Sequence, residues 1–159
     1  MEWAHGRREA WCVNGTIVCA VDGSEGVDAA VGVAKQLAER FEARILLVSV
    51  ADGLGFGLGV DDGESVSRRQ AKAGAQRRLE RLVADHELPD EEHRVAVGDP
   101  VEAVATIAAE EAADLIVVGS RRGLLGRTFR SSLAAELAST APCPVVVAPP
   151  AGATALGPA

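Results

Sequence analysis

The sequence predicts an α/β fold in which a parallel sheet of five strands carries helices on both faces. Five short apolar runs alternate with helical segments, and the runs are TIVCAV (16–21), ILLVSV (45–50), RVAV (94–97), LIVVG (115–119) and PVVVA (144–148). Most of them are β-branched and nearly continuous, which is typical of strands buried on both faces of a parallel sheet. Alternation at this spacing requires right-handed crossovers, and these place helices on both sides of the sheet.

The first two helical segments each show one apolar stripe. Residues 25–41 repeat apolar side chains with a period of 3.6, and Ser24 is the expected N-cap. Its stripe comprises Val27, Val31, Ala34, Ala38 and Phe41. In residues 64–87 the apolar side comprises Val66, Ala75, Leu79, Leu82 and Val83. The basic residues of this second segment predict a solvated face, and they are Arg68, Arg69, Lys72, Arg77, Arg78 and Arg81.

The last two helical segments have clear start or stop signals. In the third, Asp99 is the expected N-cap, Pro100 occupies the first helical position and Glu102 completes a capping box. The fourth covers about residues 132–140 and stops before two prolines, which cannot continue a helix.

Length and composition predict one globular domain. The chain has 159 residues, of which 48% are hydrophobic and 25% are charged. We expect an N-terminal extension over residues 1–14, a folded domain over residues 15–149, and a flexible C-terminal tail over residues 150–159 that is rich in proline, glycine and alanine.

Several classes of partner and location are disfavoured by composition. The formal charge of −7 makes nucleic acid a poor partner, because cations must neutralise its phosphates. No run approaches the 18 or so apolar residues of a membrane helix, and the N-terminus has no apolar core of a secretory signal. The three cysteines form no disulfide framework, and neither they nor the three histidines show metal-ligand spacing. These patterns favour a cytoplasmic location, and we expect no metal site.

Two connections are expected to hold the functional residues, because ligands of parallel sheets sit at the carboxyl ends of the strands. The first is AVDGSEG (20–26). Either Asp22 and Ser24 both satisfy the first amides of a helix, or the Asp22 carboxylate points at a ribose hydroxyl or a base edge. Both interpretations remain open on the residues alone.

The second connection runs from Gly119 to Ser132. A strand that ends in glycine and leads to a helix lets backbone amides approach an anion, and arginine side chains can add charge-assisted hydrogen bonds. The alternative is that its arginines, at 121, 122, 127 and 130, are surface residues that offset the acidic chain. No nucleophile elbow is present, and no histidine lies nearby in the sequence to activate Ser131 or Ser132, so we expect no catalytic residue.

A third stretch, GLGFGLG (53–59), has glycine at every second position and does not match a dinucleotide-binding fingerprint. It is interpreted either as a mobile flap over the carboxyl edge or as a surface loop without a role.

The order of elements and these residues together resemble the universal stress protein family, of the UspA type. The resemblance covers about residues 15–149 and is carried by IVCAVDGSEGVDAAV, ILLVSV, GDPVEAV, ADLIVVGSRRG and APCPVVVAP. It implies a Rossmann-like three-layer sandwich with strand order 3-2-1-4-5. It also implies a homodimer formed through the last strand, residues 144–148.

The resemblance further implies that ATP is the ligand, since part of the family binds it, and Mg²⁺ can accompany the triphosphate. Asp22 matches the strand-1 aspartate, Val50 matches the strand-2 valine over the adenine, and Gly119 matches the first glycine of a loop of the form G-x-x-G-x9-G-[ST]. The expected nucleotide-binding residues are Ala20, Val21, Asp22, Gly23, Ser24, Val50, Gly98, Gly119, Ser120, Arg121, Arg122, Gly123, Arg127, Ser131 and Ser132.

The loop after the fourth strand departs from that family pattern. Arg122 stands at the second glycine position, and Ser131 stands where the third glycine is expected, in a loop one residue shorter. A side chain at a glycine position obstructs the close approach of a phosphate. The adenine half of the site is therefore better supported than the triphosphate half.

Two functions follow as hypotheses. The first is a stress-response module that binds an adenine nucleotide and lacks the equipment of an enzyme, with slow hydrolysis of ATP as an open alternative. The second is a dimeric adaptor that binds no nucleotide and acts through protein partners; the missing glycines favour it, whereas Asp22 and Val50 oppose it.

Overall fold

A computed structural model describes residues 15–21, 26–51, 66–88, 93–120 and 133–149. Within these ranges strands and helices alternate along the chain. The strands are β1 (Thr16–Val21), β2 (Arg44–Ala51), β3 (His93–Val97), β4 (Leu115–Gly119) and β5 (Val145–Ala148). The helices are α1 (Val27–Phe41), α2 (Val66–Asp85), α3 (Pro100–Glu110) and α4 (Leu133–Thr140).

The five strands form one parallel sheet in the order β3-β2-β1-β4-β5. This confirms the predicted fold class and strand order. α1 and α2 pack on one face of the sheet, and α3 and α4 pack on the other, so the protein has three layers.

The core consists of one apolar cluster on each face of the sheet. Successive residues of β1 alternate between them: Ile17, Cys19 and Val21 pack under α1 and α2, whereas Val18 and Ala20 pack under α3 and α4. All six residues of β1 are buried. The expectation that an apolar, unalternating run is buried on both faces is therefore confirmed for this strand.

The edge strands do not fit that expectation. β3 and β5 are only partly buried, and Val97 and Val147 are 41% and 49% exposed. Each of these strands has a neighbour on one side only, and the helices cover the centre of the sheet more completely than its margins.

Two predictions about α1 are wrong. The N-cap position is taken by Gly26, which makes no side-chain capping bond, so the helix starts later than a cap at Ser24 requires. Phe41 does not continue the buried stripe, since it is 44% exposed in the last helical position. The chain turns immediately afterwards at Glu42, which has a left-handed backbone (φ 52°).

The other helices follow the sequence closely. At the start of α3 the Asp99 carboxylate accepts a hydrogen bond from the Glu102 backbone N–H at 2.9 Å, and Pro100 occupies the first turn, as predicted. On α2 the basic residues are exposed except Arg78, which is half-buried and reaches Ser49 Oγ at 3.5 Å. No helix in the described ranges is both long and apolar enough to cross a membrane.

Candidate functional site at the carboxyl edge of the sheet

The carboxyl ends of β1 and β4 lie side by side at the centre of the sheet. Ala20, near the end of β1, pairs with Val118 in β4, and Gly119 then ends β4. The chain order of the strands reverses between these two, so this is the topological switch point where open α/β sheets hold ligands. The two connections selected from the sequence both begin here.

Two glycines bring the start of α1 into direct backbone contact with the end of β4. A Cβ atom at Gly119 would lie 3.0 Å from the carbonyl oxygen of Gly26, and one at Gly26 would lie 3.1 Å from the carbonyl oxygen of Ser120. Both distances are shorter than nine in ten real Cβ contacts, and the opposing atoms are backbone. This close approach accounts for glycine at both positions.

Ser120 follows directly and carries an unused hydroxyl group. Its backbone N–H donates to the carbonyl oxygen of Ala148 at 3.1 Å, which ties the end of β4 to β5. Its Oγ is buried and has no hydrogen-bond partner in the part of the chain that the structure describes. Because an unpaired buried hydroxyl costs free energy, this atom is suited to accept or donate a bond to a ligand.

Val50, Ala20 and Val21 do not share one face of the sheet. Val50 is half-buried beside the cluster that contains Ala20, under α3 and α4. Val21 faces α1 instead and is 4% exposed. Val50 and Ala20 can therefore form one apolar wall, whereas Val21 can offer a ligand its backbone only.

Gly98 lies at the β3 margin of the carboxyl edge, away from Gly119. It follows β3, has a positive φ of 128°, and donates its N–H to the carbonyl oxygen of Ala51 at 3.3 Å. β3 and β4 are three strand spacings apart, about 14 Å at the usual separation. The structure thus places Gly98 at one margin of the carboxyl edge and Gly119 near its centre.

The remaining predicted site residues lie outside the described ranges, and their roles stay predictions. They are Asp22, Gly23, Ser24, Arg121, Arg122, Gly123, Arg127, Ser131 and Ser132. The glycine-rich stretch 53–59 also lies outside these ranges.

Sequence reasoning missed an open groove of about 370 Å³ between the end of β3 and α3. We call it the α3 groove; it is lined by residues 96–99 and by Glu102, Ala103, Thr106 and Ile107. The available signal was the spacing of Glu102 and Thr106, which lie four residues apart and so on one side of α3. Only Gly98 among its residues was predicted from the sequence to bind a ligand.

The two cysteines in the described ranges both have raised thiol pKa values. Burial raises the pKa of Cys19 to about 12. The pKa of Cys143 is also raised, first by burial and then by the negative charge of Asp114. Both thiols are therefore held in the protonated form, which is a poor nucleophile. In the described ranges no group of three or more His, Cys, Asp or Glu side chains could hold a metal ion.

Comparison with known proteins agrees with this architecture. The model of the universal stress protein family matches residues 14–149. The chain belongs to that family. A universal stress protein of Thermus aquaticus, named for its position in the 3′ region of QAH/OAS sulfhydrylase, is 34% identical over 133 residues, which are 83% of this chain and 96% of the relative.

Solved structures of universal stress proteins share the fold. UspA from Lactobacillus plantarum is 23% identical with a TM-score of 0.66, and the match covers 84% of this chain and 97% of that chain. A universal stress protein crystallised in complex with cAMP is 26% identical with a TM-score of 0.60, over 84% of this chain and 95% of its own.

Proposed function

We propose that this universal stress protein binds an adenine nucleotide, ATP with its Mg²⁺, at the carboxyl edge of the sheet, and that it acts as a stress-response module rather than as an enzyme. The observation that carries the proposal is the backbone contact of Gly26 with Gly119 and Ser120. Because of this contact, the connection that contains Asp22 ends where the connection that contains the arginines begins, beside the switch point.

A partner is proposed for each part of a nucleotide. Ala20 and Val50 supply apolar surface on one face for the base. Asp22 is the proposed partner of the ribose hydroxyls. The buried Ser120 Oγ and the arginines at 122 and 127 are the proposed partners of phosphate oxygens. The structural relative in complex with cAMP, an adenine nucleotide, supports this ligand class.

A dimeric adaptor that binds no nucleotide is the second candidate. It is favoured by Arg122 and Ser131, which replace expected glycines in the phosphate loop.

Both candidates include the proposed homodimer through residues 144–148. Val147 lies on the edge strand β5 and is 49% exposed, which suits pairing with a second copy. We also propose a cytoplasmic location, with which the free thiols of Cys19 and Cys143 are compatible.

Calorimetric titration of the purified protein with Mg·ATP tests the proposal. We expect saturable binding in the wild type and a loss of about tenfold or more in affinity for Asp22→Asn, because the amide keeps the size of the side chain but loses its charge as an acceptor. Asp28→Asn is the matched control, since Asp28 lies six residues further on and bonds His86 Nε2 at the surface.

Absence of binding by the wild type at millimolar ATP would reject the nucleotide hypothesis and leave the adaptor. Equal loss of affinity in Asp22→Asn and Asp28→Asn would reject the specific role of Asp22.

A further inference from the structure

The α3 groove exposes apolar surface at the β3 margin of the sheet. Its volume of about 370 Å³ falls within the range of sites that hold a ring-sized group. Ala96, Ala103 and Ile107 provide apolar walls. Val97, which also lines the groove, is 41% exposed and is one of three large hydrophobic side chains exposed in the described ranges. An apolar side chain that packs here removes this surface from water, which is favourable.

The carboxylates of the groove are acceptors. The Asp99 carboxylate accepts a hydrogen bond from the Glu102 backbone N–H. The Glu102 carboxylate itself has no hydrogen bond or ion pair with any residue in the described ranges. The occupant that fits such a surface is an apolar ring that carries a donor and no acceptor. Among protein side chains this is the indole of tryptophan, whose N–H only donates.

The two tryptophans of the chain, Trp3 and Trp11, both precede the folded domain. The family model begins at residue 14, so neither belongs to the part shared with other universal stress proteins. Residues 1–14 lie outside the described ranges, and the buried core within those ranges contains no aromatic side chain. Burial of one indole removes about 150–250 Å² from water, so a groove that accepts it gains substantial stability.

The length of chain before β1 determines which tryptophan can reach the groove. The Gly15 carbonyl oxygen accepts from the Arg44 backbone N–H at the amino end of the sheet. Ala96 pairs with the sixth residue after Arg44 on β2, and β3 is two strand spacings from β1, so about 22 Å separates Gly15 from Ala96. Extended chain covers about 3.5 Å per residue, which limits Trp11 to about 14 Å from Gly15 but allows Trp3 about 40 Å.

We propose that the α3 groove is a docking site for the N-terminal segment of the same chain, residues 1–14, and that the indole of Trp3 occupies it. The ring packs on Ala103 and Ile107, and its N–H donates to the Glu102 carboxylate. Trp11 is too close to β1 in the sequence to reach the groove. The docked segment covers the β3 margin of the carboxyl edge, and nucleotide binding is not required for this contact.

Tryptophan fluorescence tests the contact, because Trp3 and Trp11 can be observed one at a time. Trp11→Phe leaves Trp3 as the reporter, and Trp3→Phe leaves Trp11. In the folded protein we expect the emission of Trp3 to be blue-shifted and shielded from acrylamide, and that of Trp11 to be less shifted and more readily quenched. Unfolding in urea should abolish the difference between the two reporters.

A larger side chain in the groove should displace the indole. Ala103→Gln, made together with Trp11→Phe, fills part of the groove, whereas Ala109→Gln makes the same change at an exposed position of α3 outside it. We expect the first to abolish the shielding of Trp3 and the second to leave it unchanged. Thermal unfolding shows whether each variant is folded. Nuclear Overhauser contacts between the Trp3 ring and the methyl groups of Ala103 and Ile107 provide a readout that needs no substitution in the groove.

The outcomes identify the occupant. Equal quenching of Trp3 and Trp11, or shielding of Trp3 that persists in a folded Ala103→Gln variant, would overturn the proposal. Shielding that is lost on dilution of the protein would assign the groove to the segment of a second copy and overturn docking within one chain. Calorimetry of Trp3→Phe with Mg·ATP is scored separately, because loss of docking leaves the proposed function intact and absence of ATP binding leaves the docking intact.

Discussion

The two ends of the sheet differ in their polar contacts, although each has one buried side-chain atom without a hydrogen-bond partner among the described residues: His93 Nδ1 at the amino end and Ser120 Oγ at the carboxyl end. At the amino end, Arg44 Nε donates to Thr16 Oγ1 at 2.8 Å, and the same guanidinium pairs with Glu111 at 2.5 Å. Arg94 bonds the carboxylates of Glu110 and Glu111 at 3.2 and 3.1 Å. At the carboxyl end the buried Ser120 Oγ lacks a partner among the described residues, and the α3 groove lies open.

The paired groups at the amino end contribute to stability, whereas the open groups at the carboxyl end are available to a ligand. Polar groups that pair within the protein stabilise it but have little left for a ligand, whereas an unpaired buried group costs stability until something binds it. The amino end thus joins β1, β2, β3 and α3 into one unit. The carboxyl end keeps its hydrogen-bonding capacity, which is what a binding site requires.

The largest expected effect is that of Gly119→Ala at the carboxyl end. The new Cβ would lie 3.0 Å from a backbone oxygen of Gly26, so the start of α1 must shift by a few tenths of an ångström from the end of β4. Overpacking of this kind costs about 1–3 kcal/mol. We expect a lower midpoint in urea unfolding, together with weaker ATP binding because both proposed binding connections are displaced.

Gly32→Ala is the control for that substitution. Gly32 lies within α1, and a Cβ there meets nothing within 4 Å. Alanine should stabilise the helix by about 0.5–1 kcal/mol and leave ATP binding unchanged. Wild-type stability and affinity in Gly119→Ala would show that the contact between β4 and α1 does not organise the site.

A pH experiment on Cys19 tests whether water is excluded from the middle of the sheet, between its two ends. Burial raises the pKa of this thiol to about 12, above the value of about 8.5 for a thiol in an unfolded chain. Above the lower value the unfolded state loses a proton that the folded state keeps, so stability falls as pH rises toward the folded pKa. We expect Cys19 to account for a loss of about 2 kcal/mol between pH 8 and pH 10.

Urea unfolding of the wild type and Cys19→Ala at both pH values measures this contribution. The variant loses some stability at every pH through its cavity, but the part of the pH dependence due to Cys19 should vanish. An identical pH dependence in the two proteins would mean that water reaches Cys19.

The smallest effect is expected for Glu111→Gln at the amino end. Its ion pairs are partly exposed, so their loss should cost about 0.5–1 kcal/mol, and less in high salt because of screening. ATP affinity should not change, since the residue lies at the other end of the sheet. A change of affinity as large as that in Gly119→Ala would remove the distinction between the two ends.

The outcomes at α1 and α3 show which features can be predicted from residues that are close together in the sequence. The cap at Asp99 was predictable because its partner, the Glu102 amide, is three residues away. The start of α1 was not, because Gly26 must pack against Gly119 and Ser120, which are about ninety residues distant in the chain. The 44% exposure of Phe41 has a related reason: burial of a stripe position depends on which other segments reach it, and the helix sequence does not contain that information.

Alternation of β-branched runs with amphipathic segments was sufficient to predict the element order, the strand limits to within a residue or so, and one N-cap. These features depend on propensities and bonds that act over a few neighbouring residues. Other features depend on which distant segments come together. They are the residues that meet at the switch point, the Ser120 hydroxyl without a partner in the described ranges, the partial exposure of β3 and β5, and the α3 groove. Burial and close approach are properties of those assembled surfaces, and no single segment contains them.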